Sequence, residues 1–149
     1  MEERIRRFLE GWTNTLLEDY KGKLPSGALK DSITSRITLD LNNIRITLYL
    51  NDYWIYVEEG RKAGKFPPVS KMIEFSKNIM PEPYMMPNGR SVIPDRKDIA
   101  FLIGRSIAEN GIKPKHYLRD SLTKYRDDLI SGLTNILKEE FTEMIIKLD

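Results

Sequence analysis

The chain of 149 residues has no cysteine and one histidine, His116. Without thiols, disulfide frameworks, cysteine-ligated zinc, iron–sulfur clusters and thiol nucleophiles are excluded. A single imidazole likewise excludes a multi-histidine metal centre. Long apolar runs are missing: Ala100-Phe101-Leu102-Ile103 is typical, far short of the roughly 20 residues that cross a bilayer. Met1-Glu2-Glu3-Arg4 is charged and no apolar segment follows it, which argues against a secretory leader and for an aqueous, intracellular compartment. Nor does either sign of charge dominate, with 24 Lys+Arg against 22 Asp+Glu. What is present, 40% apolar and 31% charged residues, suits a soluble globule. The length suffices for one core, so a single domain over residues 1–149 is expected.

Periodicity supplies the elements. Ile5, Phe8, Leu9, Trp12, Leu16, Leu17 and Tyr20 fall on one helical stripe, with Gly22 as the expected stop. From Ile33 the period becomes two. Ile33, Ile37, Leu39 and Leu41 share one face, as do Ile44, Ile46, Leu48 and Leu50. An Asn42-Asn43 turn would set Leu41 opposite Ile44, Leu39 opposite Ile46 and Ile37 opposite Leu48. Tyr53, Trp54 and Tyr56 read as core at a sheet-to-helix junction. Pro67-Pro68 opens a short helix carrying Met72, Ile73, Phe75 and Ile79. Residues 81–94 hold four of the eight prolines, so a long irregular loop is expected there.

Asp95 can cap a helix with Ile99, Leu102, Ile103 and Ile107 inward and Asn110-Gly111 as its stop. A last helix runs from Leu118 through Leu122, Tyr125, Leu129, Leu133, Ile136, Phe141 and Met144 to Leu148. Thirty helical residues span about 45 Å, against about 40 Å for a compact domain of this length. The helix either overhangs its globule, leaving apolar residues for a neighbour, or kinks at Ser131-Gly132 and folds back. The expected fold is α+β: an antiparallel sheet on a central hairpin over about Ile33–Leu50, packed against an N-terminal helix, a middle helix and the long C-terminal helix.

The residues offer little chemistry. Gly60-Arg61-Lys62-Ala63-Gly64-Lys65-Phe66 approaches a phosphate-binding loop, but it has three residues between the glycines where four are needed. Phe66 also stands where a hydroxyl should hold magnesium, and Pro67-Pro68 lacks the N–H groups of a phosphate-binding helix start. Glu58-Glu59, Asp127-Asp128 and Glu139-Glu140 are adjacent pairs; on a helix such neighbours diverge by about 100° and cannot share a metal. Pro94-Asp95 suggests a metal-dependent nuclease, yet no Asp/Glu-x-Lys element follows it. No serine has a nucleophile-elbow context, and His116 has no evident partner. No enzyme activity, metal or cofactor is expected. Charge is unevenly spread instead: residues 60–97 hold Arg61, Lys62, Lys65, Lys71, Lys77, Arg90, Arg96 and Lys97 against Glu74, Glu82 and Asp95. Such a basic surface faces solvent, nucleic acid or an acidic protein.

Three stretches, in order, resemble the tail-completion, or neck, proteins of tailed bacteriophages. Gly27-Ala28-Leu29-Lys30-Asp31-Ser32-Ile33 is similar to their early Gly-x-Leu-x-x-Ser-Ile element. Tyr53-Trp54-Ile55-Tyr56-Val57-Glu58-Glu59-Gly60 resembles their Tyr-x-x-Tyr-Val-Glu-x-Gly, followed by a basic glycine loop and Pro-Pro. Ile99 to Gly111, then Lys113-Pro114-Lys115-His116-Tyr117-Leu118, resembles their Ile-Ala-rich helix and basic-proline-aromatic step. The resemblance implies a structural virion protein, made in the host cytoplasm. Copies would form a homo-oligomeric ring at the head–tail junction, with portal or adaptor and tail proteins as partners and no membrane role. Arg61, Lys62, Lys65, Arg90, Arg96 and Lys97 become candidates to face packaged DNA or a partner. Leu133, Ile136, Phe141 and Met144 become candidate contacts between copies. The alternative is a small nucleic-acid-binding regulatory protein that uses the basic 60–97 segment.

Overall fold

A computed structural model of the chain describes residues 1–25, 27–40, 43–77, 79 and 81–146. In order, the elements are α1 (Glu2–Lys23), α2 (Ala28–Ser32), β1 (Thr34–Asp40), β2 (Asn43–Tyr49) and α3 (Trp54–Glu59). They continue with α4 (Val69–Ser76), β3 (Tyr84–Met85), β4 (Ser91–Val92), α5 (Arg96–Asn110) and α6 (Tyr117–Ile146). The fold is mixed α+β, with the N-terminal, middle and long C-terminal helices that the periodicities predict. The elements gather into two compact units: Met1–Pro25, Ser32–Asn51 and His116–Asp149 in one, Ser26–Asp31 and Asp52–Lys115 in the other.

In the first unit α1 packs on both α6 and β1. Two neighbours require a wide apolar stripe, and Leu9, Trp12, Leu16, Leu17 and Tyr20 are all buried. The indole N–H of Trp12 donates to the carbonyl of Tyr125 at 2.8 Å, fixing α6 alongside α1. The ring of Phe8 lies directly on Gly132, where any Cβ would collide with it. Gly132 therefore makes room for a neighbour, and α6 runs through Ser131-Gly132 as one helix. Gly22 does not end α1. The chain turns extended at Leu24 (φ −84, ψ 141), because the residue before Pro25 is disfavoured in the helical region.

Strands β1 and β2 form an antiparallel hairpin, with Ile37 opposite Ile46, Leu39 opposite Ile44 and Asp40 opposite Asn43. This register differs by two residues from the one expected, and Asn43 belongs to β2. Both registers pair apolar with apolar, since an even shift keeps every side chain on its face. Asn42 of the expected turn and Leu41, expected opposite Ile44, lie outside the described residues. Ile37, Leu39, Ile46 and Leu48 are half-buried. Among the described residues their sheet has only these two strands.

In the second unit α4 packs along α5. Phe66 seats its ring on Gly104 of α5 and tilts against Phe101, with centroids 5.6 Å apart. Asp95 caps α5 as expected: its carboxylate accepts from the Asp98 N–H at 2.8 Å, and Asp98 accepts in return from the Asp95 N–H. Leu102 does not face inward. It is 57% exposed, because Ile99, Ala100 and Gly104 form the buried stripe.

Residues 81–94 are not wholly irregular. Strands β3 and β4 pair Tyr84 with Val92 and Met85 with Ser91. The Gly89 N–H donates to the Met86 carbonyl at 2.9 Å, across a turn with Pro87 at its second position and Gly89 at φ +78. Proline punctuates this hairpin rather than abolishing it: Pro87 suits the turn, and Pro81, Pro83 and Pro94 lie outside the paired residues. Among the described residues no helix is long and apolar enough to cross a membrane.

Candidate functional site

In the second unit, backbone hydrogen bonds join the places where α3 and α5 end. Arg61 and Ile112 form an antiparallel bridge, each N–H donating to the other's carbonyl at 2.8 and 2.7 Å. Gly60 and Gly111 flank it at φ +72 and +71, and a Cβ on either would meet the opposite backbone: the Ile112 carbonyl for Gly60, the Arg61 carbonyl for Gly111. Only glycine satisfies the dihedral and the spacing together. The Gly64 N–H donates to the Ala108 carbonyl at 2.8 Å, and the Lys115 N–H to the Val57 carbonyl at 2.9 Å. At the other end of α3 the Tyr53 hydroxyl accepts from the Leu29 N–H at 2.9 Å. The Tyr53 ring meets Phe75 edge-on at 5.8 Å, and burial pushes its phenol above the ordinary tyrosine range. Thus Leu29, residues 53–64 and residues 108–115 are joined by direct hydrogen bonds.

The aromatic stretch divides. Tyr53 is half-buried, whereas Tyr56 is 43% exposed and lies under the Arg61 guanidinium, 5.8 Å from ring centre to Cζ. Arg61 also donates to the Lys65 carbonyl at 2.9 Å, which curls the basic loop on itself. The two chain segments at the bridge bring Lys113 and Lys115 to Arg61, Lys62 and Lys65. Sequence reasoning had no local signal for this pairing, since about fifty positions separate the groups.

The six cations singled out from the sequence do not form one patch. Arg61, Lys62 and Lys65 sit at the C-terminal end of α5. Arg96 and Lys97 are in its first turn, twelve and eleven residues before Ala108 and so about 16–18 Å away along the axis. Arg96 donates to the Ser76 carbonyl at 3.2 Å and ties α4 to α5. Arg90 is in the β3–β4 turn, its N–H given to the Asn88 side chain.

The resemblance to a phosphate loop ends in the structure as well. The glycine loop leads to an extended segment, α4 begins only at Val69, and Gly64 donates its N–H to α5. Asp95 is occupied as a cap, and Glu139 and Glu140 pair with Arg4 of α1. Among the described residues no three His, Asp or Glu side chains converge as a metal site would require.

One polar cluster was missed. Fully buried Ser121 donates to Asp19 at 2.7 Å and accepts from Lys23 at 2.8 Å, while Lys124 reaches the other Asp19 oxygen at 2.7 Å. Hydrogen bonds from Lys124, then Lys23, then Ser121 hold the Asp19 carboxyl well below the usual carboxylate range. A seryl oxygen without exposed surface cannot reach a substrate, so this group is a clamp between α1 and α6.

The predicted inter-copy contacts also split. Leu133 and Ile136 are half-buried beside α1, on the face that carries Gly132 and Glu140. Phe141 and Met144 are 57% and 50% exposed. With Leu122, Ile130 and Leu137, all exposed, they make a second stripe next to the α1 seam. Its upper end opens on a groove of about 290 Å³ lined by Trp12, Leu122, Thr123, Arg126 and Leu129. The signal was legible: α6 carries more apolar positions than one seam can bury.

What the fold and site define is a small mixed α+β protein with a two-glycine junction, a basic loop cluster and an amphipathic outer helix. No family model, no curated protein and no solved structure matches the chain.

Proposed function

We propose that the chain is a structural subunit of a bacteriophage head–tail connector, without enzymatic activity, that assembles as a ring between portal and tail around the DNA channel. The observation that carries this reading is the junction of the second unit. The three stretches that resemble the tail-completion family are hydrogen-bonded to one another there, through Leu29 and Tyr53, Arg61 and Ile112, and Val57 and Lys115. Their motif residues, the two glycines and the tyrosine above all, are the ones that the junction needs.

Two surfaces supply the association that a ring demands. The outer stripe of α6 exposes Leu122, Ile130, Leu137, Phe141 and Met144. The two-stranded β1–β2 sheet offers strand edges for pairing. Head-to-tail contacts between unlike surfaces close into rings when the rotation permits. The portal or adaptor and tail proteins are the partners, and the virion is the location. Native mass spectrometry of the purified full chain, alone and with its portal, tests the reading. A closed oligomer of fixed copy number supports it, and a strictly monomeric chain under both conditions overturns it.

A further inference from the structure

Arg61, Lys62 and Lys65 on one segment and Lys113 and Lys115 on the other are held together by the Arg61–Ile112 bridge. Lys62 and Lys113 directly follow the two bridged residues, one on each segment. The four lysines are exposed, and among the described residues none of the five cations is in an ion pair. Of the adjacent carboxylates, buried Glu58 and exposed Glu59 each make a contact of their own, and Glu109 is held by Arg105 at 2.8 Å. Five cations thus gather on the two segments of one junction, in a chain whose total is only +2.

We propose that residues 61–65 and 113–115 together form a binding surface for the phosphate backbone of duplex DNA. Composition decides between polyanions. Lysine is depleted where proteins meet, and such interfaces need an apolar centre; here four of five cations are lysines around Ala63, Gly64 and Pro114. Backbone recognition needs only cations that reach phosphates, and it reads no sequence. Gly64 has no atom within 4 Å of where a Cβ would stand, so a strand can approach the backbone there. The proposal deepens the connector reading and rests on it for the partner, but the binding is measurable on the free subunit.

Fluorescence anisotropy with labelled duplexes of unrelated sequence tests it. Five phosphate contacts predict a slope of about −4.5 for log K against log salt, hence about a 500-fold loss of affinity between 50 and 200 mM salt. Replacing all five cations with alanine abolishes this binding, whereas Arg45→Ala with Lys138→Ala, two exposed cations of the first unit, leaves it unchanged. The double variant Lys62→Ala/Lys113→Ala lowers the slope by about 1.8 and serves if the fivefold variant does not fold. Equal binding by the fivefold and control variants overturns the proposal. So does competition by poly-glutamate as strong as by unlabelled duplex, which assigns the surface to an acidic protein. Assembly is read separately by mass, so a ring that ignores DNA sinks this inference alone, and a DNA-binding monomer sinks the connector alone.

Discussion

Replacing Gly132 with alanine tests whether α6 is shaped around Phe8. At a free helical position the change would stabilise by about 1 kcal/mol, because glycine is a poor helix former. Here the new Cβ would collide with the Phe8 ring tip. Overpacking of that kind costs about 1–3 kcal/mol. The net prediction for Gly132→Ala is a loss of about 0–2 kcal/mol. In a Phe8→Ala background the ring is gone, and the same substitution should stabilise by about 1 kcal/mol. The sign reversal corresponds to a coupling of roughly 1–3 kcal/mol, within the range for contacting pairs. Urea unfolding with Trp54→Phe throughout leaves Trp12, on α1 beside α6, as the sole tryptophan reporter. Stabilisation by Gly132→Ala in both backgrounds would refute the reasoning and return Gly132 to the role of a hinge.

Two further outcomes follow from the polar contacts. The folded carboxyl of Asp19 titrates below its unfolded value, so its contribution is complete above about pH 4 and is lost as the pH falls toward the folded pKa. Acid unfolding should therefore be steeper for the wild type than for Asp19→Asn, and parallel acid limbs would contradict the clamp. Asp95→Ala removes one half of the α5 capping box and should cost about 1 kcal/mol, a fall of about 3 °C in Tm for a chain of this size. An unchanged Tm would show that α5 does not depend on its cap.

Local rules made the elements legible. Strict alternation gave the hairpin, Asp95 and Asn110-Gly111 bounded α5, and apolar residues at helical spacing gave α1 and α6. Where the reading failed, two arrangements satisfied the same rule. A shift of two in the β1–β2 register leaves each apolar residue on its face. Four prolines within 81–94 look like breakers until Pro87-Asn88-Gly89 is seen as a turn. Gly132 beside Ser131 has the composition of a kink, and only the arrival of Phe8 from the other end of the chain explains it.

The candidate site was less legible than the fold because it depends on long-range pairing. Arg61, Lys62 and Lys65 were visible as a basic run, but Lys113 and Lys115 join them only through the bridge to Ile112. Arg96 was named as a partner-facing cation, yet its guanidinium binds the Ser76 carbonyl and holds two helices together. Leu133 and Ile136 matched the exposed stripe in residue type and were claimed by α1 instead.

Electron microscopy of the purified chain with its portal, comparing wild type with Leu137→Glu/Phe141→Glu, tests the central claim most directly. Both substituted positions lie on the outer stripe of α6, away from its seam with α1. The account predicts annular particles for the wild type and dispersed subunits for the doubly substituted chain. Isolated subunits in the wild-type images, or rings indifferent to charge on that stripe, would contradict it.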